Sequence, residues 1–369
     1  MPFGTVSMMD SRRKLVLSAS SGECSLSAAC REAGVTRKTG LKWVKRAREV
    51  GIENLAERSR APRVVAGKTE RHVELELVAL KQEYPFWGAK KLVRLLDDRK
   101  GILLPVRTAD RILERNGLTT PKAKVAEPSP FERQTCGALL QMDFKGLPPG
   151  MPYALLTVLD DRSRFCSFFG PVPDRTGPSV VKVLWEMFGV HGLPDEMLMD
   201  NGDCWGSLNS KSPSRFEAWL MRLGIHPIHG RPRHPQTQGK VERFHLTAKD
   251  EMKANLIQPD ADHAQAACQT FVDRYNWVRP HESLGLVVPG RLYSPWPRRR
   301  PETPPKHEIP EGAVSRSVDP LGIICYKGRE YRVGKGLAGE RVELREAEFG
   351  VRLYYASFPL AYIHELCTR

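Results

Sequence analysis

No two cysteines stand at C-x-x-C spacing in this chain, and its ten histidines do not fall at zinc-finger spacing. The eight cysteines (Cys24, Cys30, Cys136, Cys166, Cys204, Cys268, Cys325, Cys367) are diluted over 369 residues. That excludes a disulfide-stapled scaffold and a cysteine zinc site, so the thiols read as small core or surface residues. His226, His229 and His234 come nearest to a cluster and are not taken for a metal site. Long apolar runs are missing too. The longest, about Tyr153–Leu159, falls far short of the ~18 residues that span a bilayer. Only Leu15–Leu17 follow Arg12, Arg13 and Lys14, which is no secretory signal. A cytoplasmic protein without membrane partners is expected, its start at Met8 or Met9, since Met1–Ser7 carries no pattern. With 41% apolar and 27% charged residues, disordered and collagen-like classes are excluded, and the length predicts two or three domains.

Charge is unevenly spread. The chain carries a formal +14. Residues 1–130 hold 26 basic and 15 acidic side chains, residues 131–300 hold 21 and 18, and residues 301–369 are balanced. A surplus gathered in one third of a chain is the footprint expected of a polyanion partner, although solubility alone produces surplus charge as well.

The front third contains two patterns of one kind. Over 10–62, Leu26, Ala29, Cys30 and Ala33 recur at helical spacing behind Ser25, an N-cap residue. Gly34 turns the chain, and Thr36 caps a second helix to about Val50, with Trp43, Val44 and Ala47 inward. Helix, short glycine turn and basic helix make the helix-turn-helix pattern, whose second helix meets base edges with its first residues. Arg37, Lys38, Lys42 and Lys45 are therefore DNA-contact candidates, while a plain helical hairpin would pack in the same way. Over 66–118, helices around Glu70–Glu83, Ala89–Asp97 and Arg107–Asn116 repeat the theme, with Arg107, Arg111 and Arg115 on one face.

Residues 119–134, rich in proline and lysine, read as a linker. Over 135–295, three strands are followed by alternating helices and strands, which is the order of an α/β sheet domain. Residues 296–312 read as a second linker, and 313–369 as short alternating strands of a β-barrel-like or open sheet domain.

Three acids in the middle domain stand out. Asp143 interrupts an apolar strand, where an unpartnered charge is costly. Asp200 ends the strand Met197–Met199, at the carboxyl edge where α/β sheets expose functional groups. Glu242 opens the helix Lys240–Ile257, with Lys249 and Lys253 within about 20° of it round the helix. Gathered together, three carboxylates would repel one another, and hard divalent cations such as Mg²⁺ offset that. Such acids also occur as purely structural residues. Asp160 and Asp161 read as turn formers, and Glu251 as a solvated acid.

The blocks QMDFKG, Met199-Asp200-Asn201-Gly202 and HPQTQGKVERFH resemble the three blocks of the retroviral-integrase-type catalytic core. More narrowly, they resemble bacterial insertion-sequence transposases of the Asp-Asp-Glu class. The segment Arg279-Pro280-His281-Glu282-Ser283-Leu284-Gly285 and the leading CREAGVTRKTGLKWVKR are similar to the same family, over about residues 12–300. The resemblance implies an RNase H-like core with a mixed sheet. It implies Asp143, Asp200 and Glu242 as ligands of two Mg²⁺ ions, with Mn²⁺ as a substitute and no small-molecule cofactor. It implies DNA strand cleavage followed by joining of 3′ ends to target DNA. Double-stranded DNA and at least a second copy of the chain are the implied partners, in a bacterial cytoplasm at the nucleoid. His234, Gln238, Lys240 and Arg243 become candidates to touch the scissile strand. Forty-one residues separate Asp200 from Glu242, more than is usual in the family, and Leu208–Pro213 would absorb the surplus as a loop. A non-catalytic DNA-binding regulator and a stand-alone nuclease are the alternative readings.

Overall fold

The computed structural model describes residues 7–22, 24–57, 69–119, 132–202, 205, 212–230 and 239–366. It divides into two compact units, residues 1–69 and 70–369. Among the described residues no helix is long and apolar enough to cross a membrane.

The first unit is a three-helix module: α1 (Met8–Ser20), α2 (Leu26–Glu32) and α3 (Arg37–Val50). Ser25 and Thr36 cap α2 and α3 as expected, each side chain accepting from a backbone N–H three residues on. Trp43, Leu15, Val16, Cys30 and Leu55 form its core. The sequence reading had no counterpart for α1, which buries only Leu15 and Val16 and starts at Met8 behind the cap Ser7.

The second unit begins with α4 (Arg71–Glu83), α5 (Ala89–Lys100) and α6 (Val106–Arg115) around a core of Leu77, Trp87, Leu92, Leu96 and Ile112. The middle of the chain then supplies β1 (Leu139–Lys145), β2 (Ala154–Asp160), β3 (Cys166–Val172), α7 (Gly177–His191), β4 (Glu196–Met199), α8 (Arg215–Arg222), β5 (His226–His229), α9 (Gly239–Met252), α10 (Ala261–Trp277) and the short α11 (Pro289–Leu292). The strands form one sheet in the order β3-β2-β1-β4-β5. β1 runs antiparallel to β2 and parallel to β4, so the sheet is mixed, as the fold class required. Period-two alternation decides which helices cover which face. Leu140, Met142, Leu156 and Val158 pack with α7 and α8, whereas Leu155, Leu159 and Phe169 pack with α9 and α10. On β1 this leaves Gln141 and Asp143 for the α9 side.

Two expected linkers behave differently. Residues 120–131 of the first lie outside the described residues, while Glu132 and Arg133 are already held by Arg164 and Asp161. The second is laid onto the core from its start. Trp296 is buried, Arg298 donates to the Leu223 carbonyl at 3.1 Å, and Arg300 lies over the Trp185 ring. Its prolines and arginines suggested a free tether, yet the buried indole and the guanidinium bonds hold it.

The tail forms β6 (Ser315–Ser317), β7 (Ile323–Tyr326), β8 (Arg329–Arg332), β9 (Arg341–Ala347), β10 (Gly350–Tyr355) and β11 (Phe358–Tyr362). These make a four-stranded antiparallel sheet and a two-stranded hairpin. Its core includes Ala218 and Met221 of α8, so the tail sits on that helix. A Cβ on Gly336 would overlap the backbone of Pro213 and Ser214, and one on Gly334 the Ser212 side chain. Only glycine lets the tail approach so closely the segment leading into α8.

Candidate functional site

The register of the parallel pair β1–β4 matches Gln141 with Leu198. Asp143 stands two residues further along β1, and Asp200 follows directly on the last residue of β4, Met199, so both acids lie beyond the same paired end of these neighbouring strands. Asp143 faces α9. One turn after Glu242 on that helix, His245 brings its Nδ1 to 3.8 Å from Asp143 Oδ2, and its Nε2 shares a 2.8 Å hydrogen bond with Thr157. Burial pushes the Asp143 carboxyl up to about 6, with the nearby Asp200 and Glu242 carboxylates adding to it. The backbone N–H of Phe144, 2.8 Å away, and the Arg175 guanidinium pull the other way. The fold therefore makes the three acids electrostatic neighbours. They are not a closed cage: among the described residues no three His, Cys, Asp or Glu side chains converge as a metal-holding group.

Asp200 is fixed from several sides. Its Oδ1 accepts from the Trp205 indole and from the Gly202 N–H. A Cβ on Gly202 would stand 2.9 Å from that oxygen, which explains the glycine. Trp205 is buried and stacks on Phe144 with ring centroids 4.9 Å apart. Behind the strand end, His229 Nδ1 bonds the Asp200 carbonyl and Nε2 bonds Glu217 of α8, both at 2.9 Å. Asn201 donates to the Gly230 carbonyl at 2.8 Å. Glu242 itself is exposed in the first turn of α9, whose buried stripe is Val241, Phe244, Ala248 and Met252.

The cations sort into groups. Lys249 is exposed beside Lys145, whose pKa burial and Lys249 lower. Arg175 lies 5.4 Å from the Phe144 ring, and Arg243 is exposed next to Glu242. Lys240, expected at the scissile strand, is instead captured by the buried Asp161 carboxylate. Lys253 has left the helix. α9 stops at Met252, Lys253 has φ +47°, and its ammonium sits 4.4 Å from the Phe86 ring centroid. The expected helix face shared with Glu242 therefore ends at Lys249. His234 and Gln238 lie outside the described residues, as does most of the 208–213 loop.

Arg37, Lys38 and Lys45 are exposed on α3, whereas Lys42 reaches Glu57 at 3.4 Å. Arg107 and Arg111 are exposed on α6, but Arg115 is paired with Glu74. Asp160 ends β2 and Asp161 opens the turn after it, both fully buried. Asp160 accepts from Gly137 and Ser163, and Asp161 from Arg133 and Gln141. Glu251, read as solvated, is buried with its side chain 4% exposed. Sequence reasoning also passed over His245, Arg175, Trp205 and the Glu217–His229 pair. Of these, only His245 carried a signal, as the histidine three residues after Glu242.

Family models match along the chain. Integrase core domain models cover residues 134–235 and 223–289, a helix-turn-helix domain 11–63, and a homeodomain-like domain 39–113. An IS481 family transposase C-terminal domain covers 313–361. The 39.2 kDa protein of insertion element IS476 from Xanthomonas euvesicatoria is 25% identical over 214 residues, 58% of this chain and 57% of that protein. Transposase InsD of insertion element IS2 from Escherichia coli is 29% identical over 96 residues, 26% of this chain and 30% of that protein. The chain thus spans little more than half of the first relative and under a third of the second. The catalytic core domain of BIV integrase is 23% identical, with 42% of this chain and 93% of that one covered and a TM-score of 0.34. Helix-turn-helix, integrase core and IS481 transposase C-terminal domain models thus match one after another along a single polypeptide, which makes the chain similar to insertion-sequence transposases with an integrase-type core.

Proposed function

We propose that the chain binds the terminal inverted repeats of its element, cuts DNA there by hydrolysis, and joins the freed 3′ ends to target DNA by transesterification. The observation that carries this reading is that the Asp143 carboxyl, approached by His245 one turn after Glu242 on α9, is pushed up to about 6 by burial and by the Asp200 and Glu242 charges. A hard divalent cation relieves that kind of repulsion, so an all-carboxylate donor set suits Mg²⁺, with Mn²⁺ as its substitute. Asp143, Asp200 and Glu242 would hold two such ions, which when bound supply activation of the attacking oxygen and stabilisation of the leaving oxygen of a phosphodiester.

The remaining side chains orient and attract. The Trp205 indole and the Gly202 N–H keep Asp200 Oδ1 in one place. His245, lowered to about 4 by burial and by Lys145, stays neutral at pH 7 and holds a fixed ring beside Asp143. Arg175, Lys145, Lys249 and Arg243 rim the acids with positive charge, which suits a polyanionic backbone. The helical modules would supply sequence reading through Arg37, Lys38 and Lys45 on α3 and Arg107 and Arg111 on α6. Joining two ends to one target calls for two active sites in register, hence at least a dimer on DNA, acting in the bacterial cytoplasm.

The test uses labelled element-end duplexes with Mg²⁺ or EDTA. The wild type should nick at the end only with Mg²⁺, and D143N, D200N and E242Q should bind without cutting. Full cutting by all three single variants sinks the proposal. The unconverged acids favour, as a second reading, a DNA-binding regulator that uses the core for dimerisation. Binding without any Mg²⁺-dependent nick would select it, and cutting of arbitrary duplexes would select a stand-alone nuclease.

A further inference from the structure

The second helical module is tied to the helix that carries Glu242. Glu251 stands nine residues after Glu242, about 14 Å further on if helical rise is applied throughout. Its carboxylate leaves the core to accept from two directions, the Trp87 indole at 2.9 Å and Arg279 Nε at 2.8 Å. Trp87 is 1% exposed and belongs to the turn between α4 and α5. That turn is itself tied down. Lys81 Nζ donates to the Pro85 and Trp87 carbonyls at 2.7 and 2.9 Å, and Tyr84 stacks on Trp87 at 4.1 Å. Around this contact, Lys90 and Lys91 both reach Glu282 at 3.4 Å, Lys253 covers the Phe86 ring, and Val278 packs into the module's core. A buried carboxylate whose donors come from two modules is a poor hinge, because opening it strands a charge. α6, which packs Ala109, Ile112 and Leu113 into the same core as Trp87, presents Arg107 and Arg111 to solvent.

We infer that α6 and the three acids of one chain form a single body, so that each chain cuts the DNA end that its own α6 reads. The base pairs recognised by α6 then lie at a set spacing from the scissile phosphodiester, with Glu251 as the positioning residue that fixes the spacing. The inference rests on the transposase reading above and adds to it which chain cuts which end.

Mixing of full-length chains tests it. One partner carries D200N, which leaves α6 intact. The other carries R107A and R111A, which leaves the acids intact. Neither alone should cut above one tenth of wild type, and their equimolar mixture should also stay below one tenth. Recovery to a tenth or more means that one chain reads while another cuts, and overturns the inference. Normal cutting by R107A/R111A alone overturns it as well, by removing α6 as the reader. A wild type that binds ends without cutting fails at the earlier step, the transposase reading itself. The cut position gives a second measurement. E251A should scatter the nick over neighbouring phosphodiesters, whereas E251Q, whose amide oxygen still accepts, should restore one position. A nick that stays sharp in E251A overturns the role of Glu251.

Discussion

Each helical module is built round one tryptophan, and the two rings serve opposite ends. Trp43 of the first module is covered by its own module's cations, with Arg12, Lys42 and Arg46 at 4.0, 4.8 and 4.9 Å from the ring. Its ion pairs Arg12–Glu57, Lys14–Glu32 and Lys42–Glu57 also close on the module itself. Trp87 of the second module instead sends its indole N–H out to Glu251, more than 160 residues along the chain. Burial alone does not separate the two cases, since both rings are nearly inaccessible. The direction of the polar group does. A module whose tryptophan is covered by its own cations closes on itself, whereas one that lends a donor to its neighbour is tied to that neighbour.

The sharpest way to break this picture acts on the acids, which belong to neither module. D143N, D200N and E242Q should each lower end cleavage at least about 10³-fold while leaving DNA affinity within about twofold, measured by single-turnover cutting and gel shift. A parallel loss of binding would mean that the acids hold the readers together rather than act on DNA.

Next in size is the seam. E251A leaves the Arg279 guanidinium and the Trp87 N–H without their acceptor, and should cost roughly 3–5 kcal/mol in denaturant unfolding of the second unit. Its counterpart E53A, at an exposed acid of the first module, should cost less than about 1 kcal/mol. Equal losses would erase the distinction between the modules.

Acidity sharpens the same contrast. His281, beside the seam, is pushed down to about 2 by burial and by the Arg279 and Lys91 charges. A histidine depressed on folding leaves stability complete above about 6.5 and lost as pH falls. Residues 1–69 contain no histidine at all. Melts between pH 7 and 5 should therefore weaken the second unit by up to about 1.4 kcal/mol per pH unit from this group, and leave the first nearly flat. Asp143 works the other way. Its carboxyl is raised, so its contribution is complete below about 3.8 and lost as pH rises through about 6. In EDTA at pH 7, D143N should stabilise the second unit by roughly 3 kcal/mol. The smallest effect is on salt dependence. K38A and K45A should each lower the slope of log affinity against log salt by about 0.9, and K42A by less because Glu57 already holds Lys42. R115A, paired with Glu74, should leave it unchanged.

Local and periodic features were legible in the chain. Capped helices, the alternating strands and the α9 stripe follow from spacing alone, and Asp143, Asp200 and Glu242 stand out by their positions in the sequence. What escaped depends on partners distant in sequence. Glu251 looked solvated because its donors, Trp87 and Arg279, sit on other elements. Lys240 looked free because Asp161 lies 79 residues earlier. Lys253 looked helical because nothing local announces the positive φ that ends α9. The arginines after Trp296 suggested a tether, yet find carbonyls and rings on the core. Helix α1 buries only the adjacent pair Leu15 and Val16, which sets no helical period.

The seating of the last domain on Pro213 and Ser214 has a consequence for damaged copies of the gene. Ser214 Oγ donates to the Trp205 carbonyl at 2.5 Å, and the Trp205 indole grips Asp200, so a brace runs from the final sixty residues to the second acid. A frameshift late in the reading frame would then leave the pocket behind Asp200 without its backing, and on the function proposed above such a product would occupy DNA ends without processing them.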